Sequence, residues 1–387
     1  MKKYVFLSNS PKPTEEEQNS RAKIDLTNVS RPCLNTALDM GYEVYFGVNR
    51  ANPEGLACEL DVHLYDSHTY RSIFDFKSNY IAYKNLMNLL KTGDFEVIHC
   101  NTPVGGVIGR LCGKKAKVKK VIYTAHGFHF YKGAPLVNRT FLKWAEKIMA
   151  RWTDAIITMN KEDYQAAQKF KLRNQRKVYY VPGVGIDTEA YTNINIDKKS
   201  LRKKLGLETD DIILIAMGDL IKRKNYEASI KAIARANNPK LQFLICGKGP
   251  KLDSLQTLVK ELGIENQVHF LGFRTDIKEL LAVSDIFLFT TYQEGLPRSM
   301  MEAMAVGLPC VASKIRGNVD LIDDGRGGYL RDPEDIEGFK EVIDNLASDG
   351  ELRRNMGIYN LEIIKKFDIE NVRIKIKQIY AEVLTDE

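Results

Sequence analysis

Residues 285–313 read DIFLFTTYQEGLPRSMMEAMAVGLPCVAS. DIFLFTT (285–291) is a continuous apolar run, the pattern that a strand covered on both faces requires. TYQEG follows as a loop, Pro297 suits the opening turn of a helix, and Gly307 suits its close. LPCVAS (308–313) then starts a second buried strand. Strand, loop, helix, strand in that order predicts a parallel βαβ unit. Glu294 falls in the loop off the carboxyl end of the first strand, and Glu302 inside the helix.

The same alternation runs along the whole chain. YVFLS (4–8), EVYFGV (43–48), FEVIHC (95–100), KVIYTA (120–125), DAIITM (154–159) and KVYYVP (177–182) are short apolar runs separated by segments of helical spacing. A second series consists of DIILIAMG (211–218), LQFLICG (241–247), QVHFLG (267–272), DIFLFTT and LPCVAS. Between the series Pro182, Gly183 and Gly185 end a strand and a polar stretch follows, which places the boundary there. No internal repeat or low-complexity tract interrupts the pattern. The 387 residues, against roughly 150 per domain, also argue for two domains. The expected fold is α/β: two Rossmann-like doubly wound parallel-sheet domains facing a cleft. Ligands of such sheets bind outside the carboxyl ends of the strands, so residues just after each apolar run are the candidates.

Hydrophobic residues make up 44% of the chain and charged residues 28%, the balance of a globular protein. No apolar run approaches the ~18–20 residues of a spanning helix. In MKKYVFLSNSPKP the apolar stretch is too short for a secretory leader, and the expected location is the cytoplasm. The six cysteines form no CxxC pair and read as reduced core residues. His126 and His129 have no cysteine partners at ligand spacing, so structural zinc is not expected. The net charge of +7 is uneven: residues 1–186 carry 28 Lys and Arg against 17 Asp and Glu, and the remainder carries 29 against 33. A basic first half suits an anionic partner, a membrane face or a nucleic acid. None of the usual nucleic-acid modules is visible, and none is expected as a partner.

Amides around Gly295, Leu296 and Arg298 to Met300 lie at a helix N-terminus, where hydrogen bonding and the helix dipole both favour a phosphate. A carboxylate repels phosphate but accepts well from paired hydroxyls. Glu294 and Glu302 around such a terminus therefore suit a sugar nucleotide, with diphosphate on the amides and hydroxyls on the carboxylates.

Glu294, seven residues, Glu302, with Gly-Leu-Pro after the first, resembles the signature of glycosyltransferase family 4, the retaining GT-B enzymes. Thr-Ala-His-Gly (124–127), VPGVGIDTEAY (181–191), GDLIKRKN (218–225), GKGP (247–250) and FLGFRTDIKELL (270–281) stand in the order of that family's landmarks. VIHCNTPVGG and YTAHGFHFYKGAP further resemble bacterial capsule and exopolysaccharide enzymes. The resemblance implies an acceptor-binding domain over 1–186 and a donor-binding domain over 187–366. A C-terminal helix over about 367–387 would pack back on the first. It implies His126, Glu294 and Lys224 as the catalytic set. Arg223, Gly247, Gly249, Phe273, Arg274, Gly295, Leu296, Pro297 and Glu302 would bind the donor. Asn101 and Thr102 read equally as acceptor-side residues or as caps of the following helix; Gly127 permits close backbone approach. The family often carries Arg directly after the first glycine of GDLIKRKN, where this chain has Asp219, and Arg223 is the substitute. It also usually has a glycine-rich loop after the first strand; SNSPKPTEEEQNSRAK (8–23) is instead long and polar, and is expected to order only with substrate.

No Asp-x-Asp triplet occurs, so no metal-bridged diphosphate and no cofactor are expected; Lys224 and the helix terminus take the metal's place. Retention by a carboxylate nucleophile is one route. The resemblance points to the other, front-face displacement in which the leaving phosphate takes the acceptor's proton. UDP is the nucleotide expected, with GDP and dTDP left open, and the acceptor implied is an undecaprenyl-diphosphate-linked saccharide. RTFLKWAEKIMARW (139–152) places Phe141, Ala145, Ile148 and Trp152 at helical spacing, with Lys143, Lys147 and Arg151 on another face. That stripe reads either as core or as a surface lying on the anionic inner membrane face. Rival readings are a nucleotide-sugar epimerase on the same fold and a non-catalytic sugar-binding protein. A nicotinamide dehydrogenase is weaker, since neither GKGPKL nor the first strand's loop matches GxGxxG.

Overall fold

Apolar runs become strands buried on both faces. The structure, a computed structural model, describes residues 2–101, 103–175, 177–192 and 194–385. Its first sheet contains β1 (Lys3–Leu7), β2 (Glu43–Val48), β3 (His63–Asp66), β4 (Phe95–Asn101), β5 (Lys120–Ala125), β6 (Ala155–Thr158) and β7 (Val178–Tyr180). The second contains β8 (Ile212–Met217), β9 (Leu241–Cys246), β10 (Val268–Gly272), β11 (Ile286–Phe289), β12 (Cys310–Ser313) and β13 (Gly328–Arg331). Their orders are β3-β2-β1-β4-β5-β6-β7 and β10-β9-β8-β11-β12-β13. Every neighbouring pair is parallel. Both are doubly wound, and in each the order reverses beside the first strand, at β1/β4 and at β8/β11. Those two switch points are where such sheets open to ligands.

Two strands have no counterpart among the apolar runs. β3 (HLYD) and β13 (GYLR) lie at sheet edges and are half-exposed. An edge strand is covered less than a central one, so it needs no continuous apolar run.

Chain contacts divide the protein into Met1–Gly185 with Ile369–Glu387, and Ile186–Asp368. In the first unit the C-terminal helix Ile369–Leu384 buries Val372, Ile376, Ile379, Tyr380 and Val383, a helical stripe, in one core of the sheet. Tyr380 also enters a buried polar chain. Its hydroxyl lies 2.6 Å from that of Tyr4 and 2.6 Å from His99 Nδ1, and His99 Nε2 lies 2.7 Å from Thr124 Oγ1 on β5. The other face of the first sheet packs α3 (Phe76–Lys91) and α4 (Pro103–Lys115), numbered after α1 (Glu15–Asn19) and α2 (Arg31–Asp39).

One expectation needs correcting, the helix over 139–152. In the loop after β1, Thr14 and Glu17 form a capping box for α1, and Asn49 donates to Ser10 Oγ and Thr69 O at 2.7 Å each. Local capping and side-chain bonds replace the missing glycine-rich turn. Residues 139–152 do not form one amphipathic helix. A π-helical turn spans Asn138–Leu142, and α5 proper is Lys143–Ala150. An i→i+5 turn breaks the 3.6 spacing, and Phe141 and Trp144 stand 60% and 61% exposed. The inward position goes instead to Glu146, which pairs with the fully buried Arg110 of α4.

Candidate functional site

The β8/β11 switch point assembles the second unit's site from three loops. β8 ends at Met217 and turns through Gly218, whose φ is 144°. A Cβ on Gly247 would stand 2.0 Å from Gly218 O, and one on Gly249 2.5 Å from Leu220 O. These glycines therefore let the loops after β8 and β9 meet backbone to backbone: Gly218 N donates to Cys246 O at 3.0 Å, and Leu220 N to Lys248 O at 2.9 Å. After Gly218 the chain makes a short turn over Lys222–Lys224 and enters the helix Tyr226–Ala236 through Asn225 in the left-handed region.

Three donors converge on one carboxylate oxygen. Arg223 reaches Glu294 Oε1 at 2.7 Å, Lys224 Nζ at 2.9 Å and Thr291 Oγ1 at 2.9 Å. Lys224 also lies 4.6 Å from the centre of the Phe289 ring. Arg316, beyond β12, donates through Nε to Glu294 O at 3.0 Å. A Cβ on Gly317 would stand 2.3 Å from Gly295 O, so the two loops are in close contact there as well. Thr291 and Arg316 were not among the sequence candidates. Thr291 lay inside an apolar run, and Arg316 carried no motif signal.

Pro297 is the N-cap of the helix Arg298–Ala305 rather than a residue of its first turn. The first chain amide to find an acceptor is that of Met301, on Pro297 O at 3.3 Å. The amides of Arg298, Ser299 and Met300 are those a helix start leaves open. Leu296 packs on the core and Gly295 lies beside Glu294. Glu302, mostly buried, accepts from Arg298 Nε at 3.0 Å. Burial and then the Glu302 charge push the Tyr191 hydroxyl's pKa up, which places Tyr191 beside that carboxylate.

Phe273 and Arg274 follow β10, whose Gly272 O accepts from Gly247 N at 2.8 Å. Phe273 is 71% exposed. Arg274 is engaged by the carboxylate of Asp276, its Nε donating at 2.8 Å, and this pairing raises the Arg274 pKa and lowers that of Asp276. Asp219 is exposed, and Arg223 rather than a residue at 219 supplies the second cation near Glu294.

In the first unit His126 is the residue just after β5, which ends at Ala125, and Gly127 follows with φ 152°. His126 Nε2 is enclosed without a hydrogen-bond partner, and burial pulls its pKa down to about 4. The imidazole is therefore neutral near pH 7 and keeps one nitrogen unengaged. The following loop is anchored by Phe128 N, which donates to Asp163 Oδ2 at 3.0 Å. His129 is exposed. Asn101 is the last residue of β4 and is buried; Thr102 lies outside the described residues. Gly105 of α4 lies against the Ser8 backbone at the β1/β4 switch point. Among the described residues no group of three His, Cys, Asp or Glu side chains is arranged to hold a metal ion.

The two doubly wound parallel sheets are those of the GT-B glycosyltransferase fold. Residues 34–190 match the model of glycosyltransferase family 4, and residues 197–362 that of glycosyl transferases group 1. The chain is 34% identical over 316 residues to the putative glycosyltransferase EpsD of Bacillus subtilis, covering 80% of this chain and 82% of that protein. It is 29% identical over 327 residues to the UDP-Gal:α-D-GlcNAc-diphosphoundecaprenol α-1,3-galactosyltransferase of Escherichia coli, covering 81% of each. The fold matches that of Anabaena HepE crystallised with UDP-glucose, with a TM-score of 0.76 and 21% identity over 98% of this chain and 99% of that one. The chain belongs to glycosyltransferase family 4.

Proposed function

We propose that the protein transfers a hexose-type sugar, with retention of configuration, from a UDP-sugar to an undecaprenyl-diphosphate-linked saccharide in capsule or exopolysaccharide synthesis. The observation that carries this reading is the convergence of Arg223, Lys224 and Thr291 on Glu294 beside the open amides of the helix Arg298–Ala305. A diphosphate docked on those amides would find two cations within reach, and they would stabilise the charge that grows as UDP departs. Arg223 takes the part of the Arg missing at Asp219. Glu294 would face the transferred sugar, Glu302 would accept from the ribose hydroxyls, and neutral His126 would meet the donor sugar. The C1–O bond to the β-phosphate breaks as the acceptor oxygen attacks from the same face, and the acceptor's proton passes to the departing phosphate. No metal is needed in this scheme, because the cations and amides carry the diphosphate charge.

The Escherichia coli relative, named for a UDP-sugar donor and a diphosphoundecaprenol acceptor, supports this donor and acceptor. Contact with the anionic inner face of the membrane fits the acceptor. Among the described residues, ten of the fifteen exposed large apolar side chains lie between Ile73 and Trp144. Residues 97–145 contain no Asp or Glu. No described helix is long and apolar enough to cross a membrane.

Calorimetric titration with UDP and with intact UDP-sugar tests the site. Glu302→Ala is expected to weaken UDP binding by about tenfold, the scale of a lost charge-assisted hydrogen bond. Glu294→Ala is expected to lower transfer more than UDP affinity. Unchanged binding and turnover in both variants would defeat the assignment.

A further inference from the structure

A second cationic site lies in the first unit, away from the residues assigned above. The chain from Phe130 to Lys143 and the helix Lys161–Ala167 border an open pocket of about 370 Å³, a volume within the range small ligands occupy. Lys132, Arg139 and Lys143 line it together with Tyr131 and Leu136. None of the three cations has an ion-pair partner among the described residues. The lining also holds one carboxylate, Glu162, which accepts at Oε1 from the backbone amide of Lys132 at 2.8 Å; three cations against one anion leave the pocket with a net of two positive charges. An anion with several charges would supply the counter-charge that these cations lack.

The backbone supports a ligand here. Arg139 belongs to the π-helical turn Asn138–Leu142, and such turns are costly to form and recur at functional sites. The same turn faces Phe141 outward, next to Trp144, with Leu136 and Val137 73% and 68% exposed. Cationic pocket and apolar shelf therefore adjoin on one short stretch of chain. A ligand that fits both has a compact polyanionic head joined to a hydrocarbon tail.

We propose that this pocket binds the diphosphate of the polyprenyl carrier, with the carrier's first isoprene units on the shelf of Leu136, Val137, Phe141 and Trp144. The inference rests on the lipid-linked acceptor of the proposed function. A diphosphate supplies two or more charges in a volume that the pocket holds, and Arg139 can grip it with paired donors.

The test is calorimetry on the full chain with farnesyl diphosphate, a soluble short carrier, and with farnesol. The expected result is binding of the diphosphate but not the alcohol, competition by inorganic pyrophosphate, and affinity weakened about tenfold or more in Lys132→Ala/Arg139→Ala/Lys143→Ala. UDP affinity should be unchanged in that variant, since UDP binds the other unit, and retained hydrogen-exchange protection of the β4 and β5 amides checks that the first unit of the variant folds. No farnesyl diphosphate binding by the wild type, or equal affinity in wild type and variant, overturns the proposal. So does a variant that stops sedimenting with phosphatidylglycerol vesicles yet binds farnesyl diphosphate normally, because the cations then serve a lipid headgroup. Farnesyl diphosphate binding without any UDP binding would sustain the pocket and remove the proposed donor reaction.

Discussion

At the residue scale the two buried histidines set a pH dependence whose sign is determined. Burial pulls the His126 pKa down to about 4. Burial, and then the charge of His126, pull His99 down to about 3. The unfolded chain titrates both near ~6.5, so below that pH it takes up protons that the native state refuses. Their contribution to stability is present above about 6.5 and is lost as pH falls toward 4. Urea midpoints should therefore fall between pH 7 and pH 5, and should fall less in His126→Asn. Because His126 stays neutral across this range, kcat/KM should show no histidine limb between about pH 6 and 7. A limb there that disappears in His126→Asn would show that the imidazole carries a proton in the free enzyme. The same single residues show how much chemistry was legible along the chain. Glu294 and Lys224 were marked by their positions after apolar runs, but they stand 70 residues apart, and nothing local marked Thr291 as their partner.

At the element scale the link between α4 and α5 is the testable feature. Arg110, fully buried, stacks 3.9 Å over the Tyr123 ring and donates to Glu146 through Nη1 at 2.6 Å and Nη2 at 3.1 Å. Glu146 raises the Arg110 pKa against the opposing effect of burial, which is the larger influence. Removing one partner leaves the other charge enclosed, so Arg110→Met should cost about 3–5 kcal/mol in urea unfolding. Arg110→Met/Glu146→Leu should recover much of that loss; a double variant no more stable than the single one would mean that the ring stacking, not the charge, holds α5 in place. This pair also bears on the helix over 139–152. The apolar stripe Phe141–Ala145–Ile148–Trp152 had a helical period, but a π-helical turn lies over Asn138–Leu142 and Glu146 turns inward to Arg110, a partner 36 residues away along the chain.

At the scale of the whole molecule the chain leaves its first unit at Gly185 and re-enters it at Ile369. The returning helix supplies Val372, Ile376, Ile379, Tyr380, Val383 and Leu384 to the first unit's core. At roughly 1.5–3 kcal/mol for each fully buried large side chain, that contribution is comparable with the whole net stability of a domain, about 5–15 kcal/mol. Truncation after Asp368 should therefore unfold the first unit, seen as loss of its protected amides in hydrogen exchange, while β8–β13 keep theirs. Protected β4 and β5 amides in the truncated chain would show that the helix is dispensable. Tyr380→Phe, which keeps the ring but removes the hydroxyl between Tyr4 and His99, should cost about 1–3 kcal/mol.

The sequence alone determined the fold class, the two series of strands, the break near Gly185 and the loops in which the candidate residues sit. Those features are local: a strand covered on both faces must be apolar throughout, and a helix start or a glycine turn is spelled by its own residues. Tertiary structure decided the rest. It added β3 and β13, whose edge positions relax the demand for apolar residues. It gave Gly247 and Gly249 the task of bringing two backbones together, turned Phe141 and Trp144 outward, and gathered three cations into one pocket. Each of these depends on which distant segment lies opposite, and pairing across tens of residues leaves no period in the chain to read.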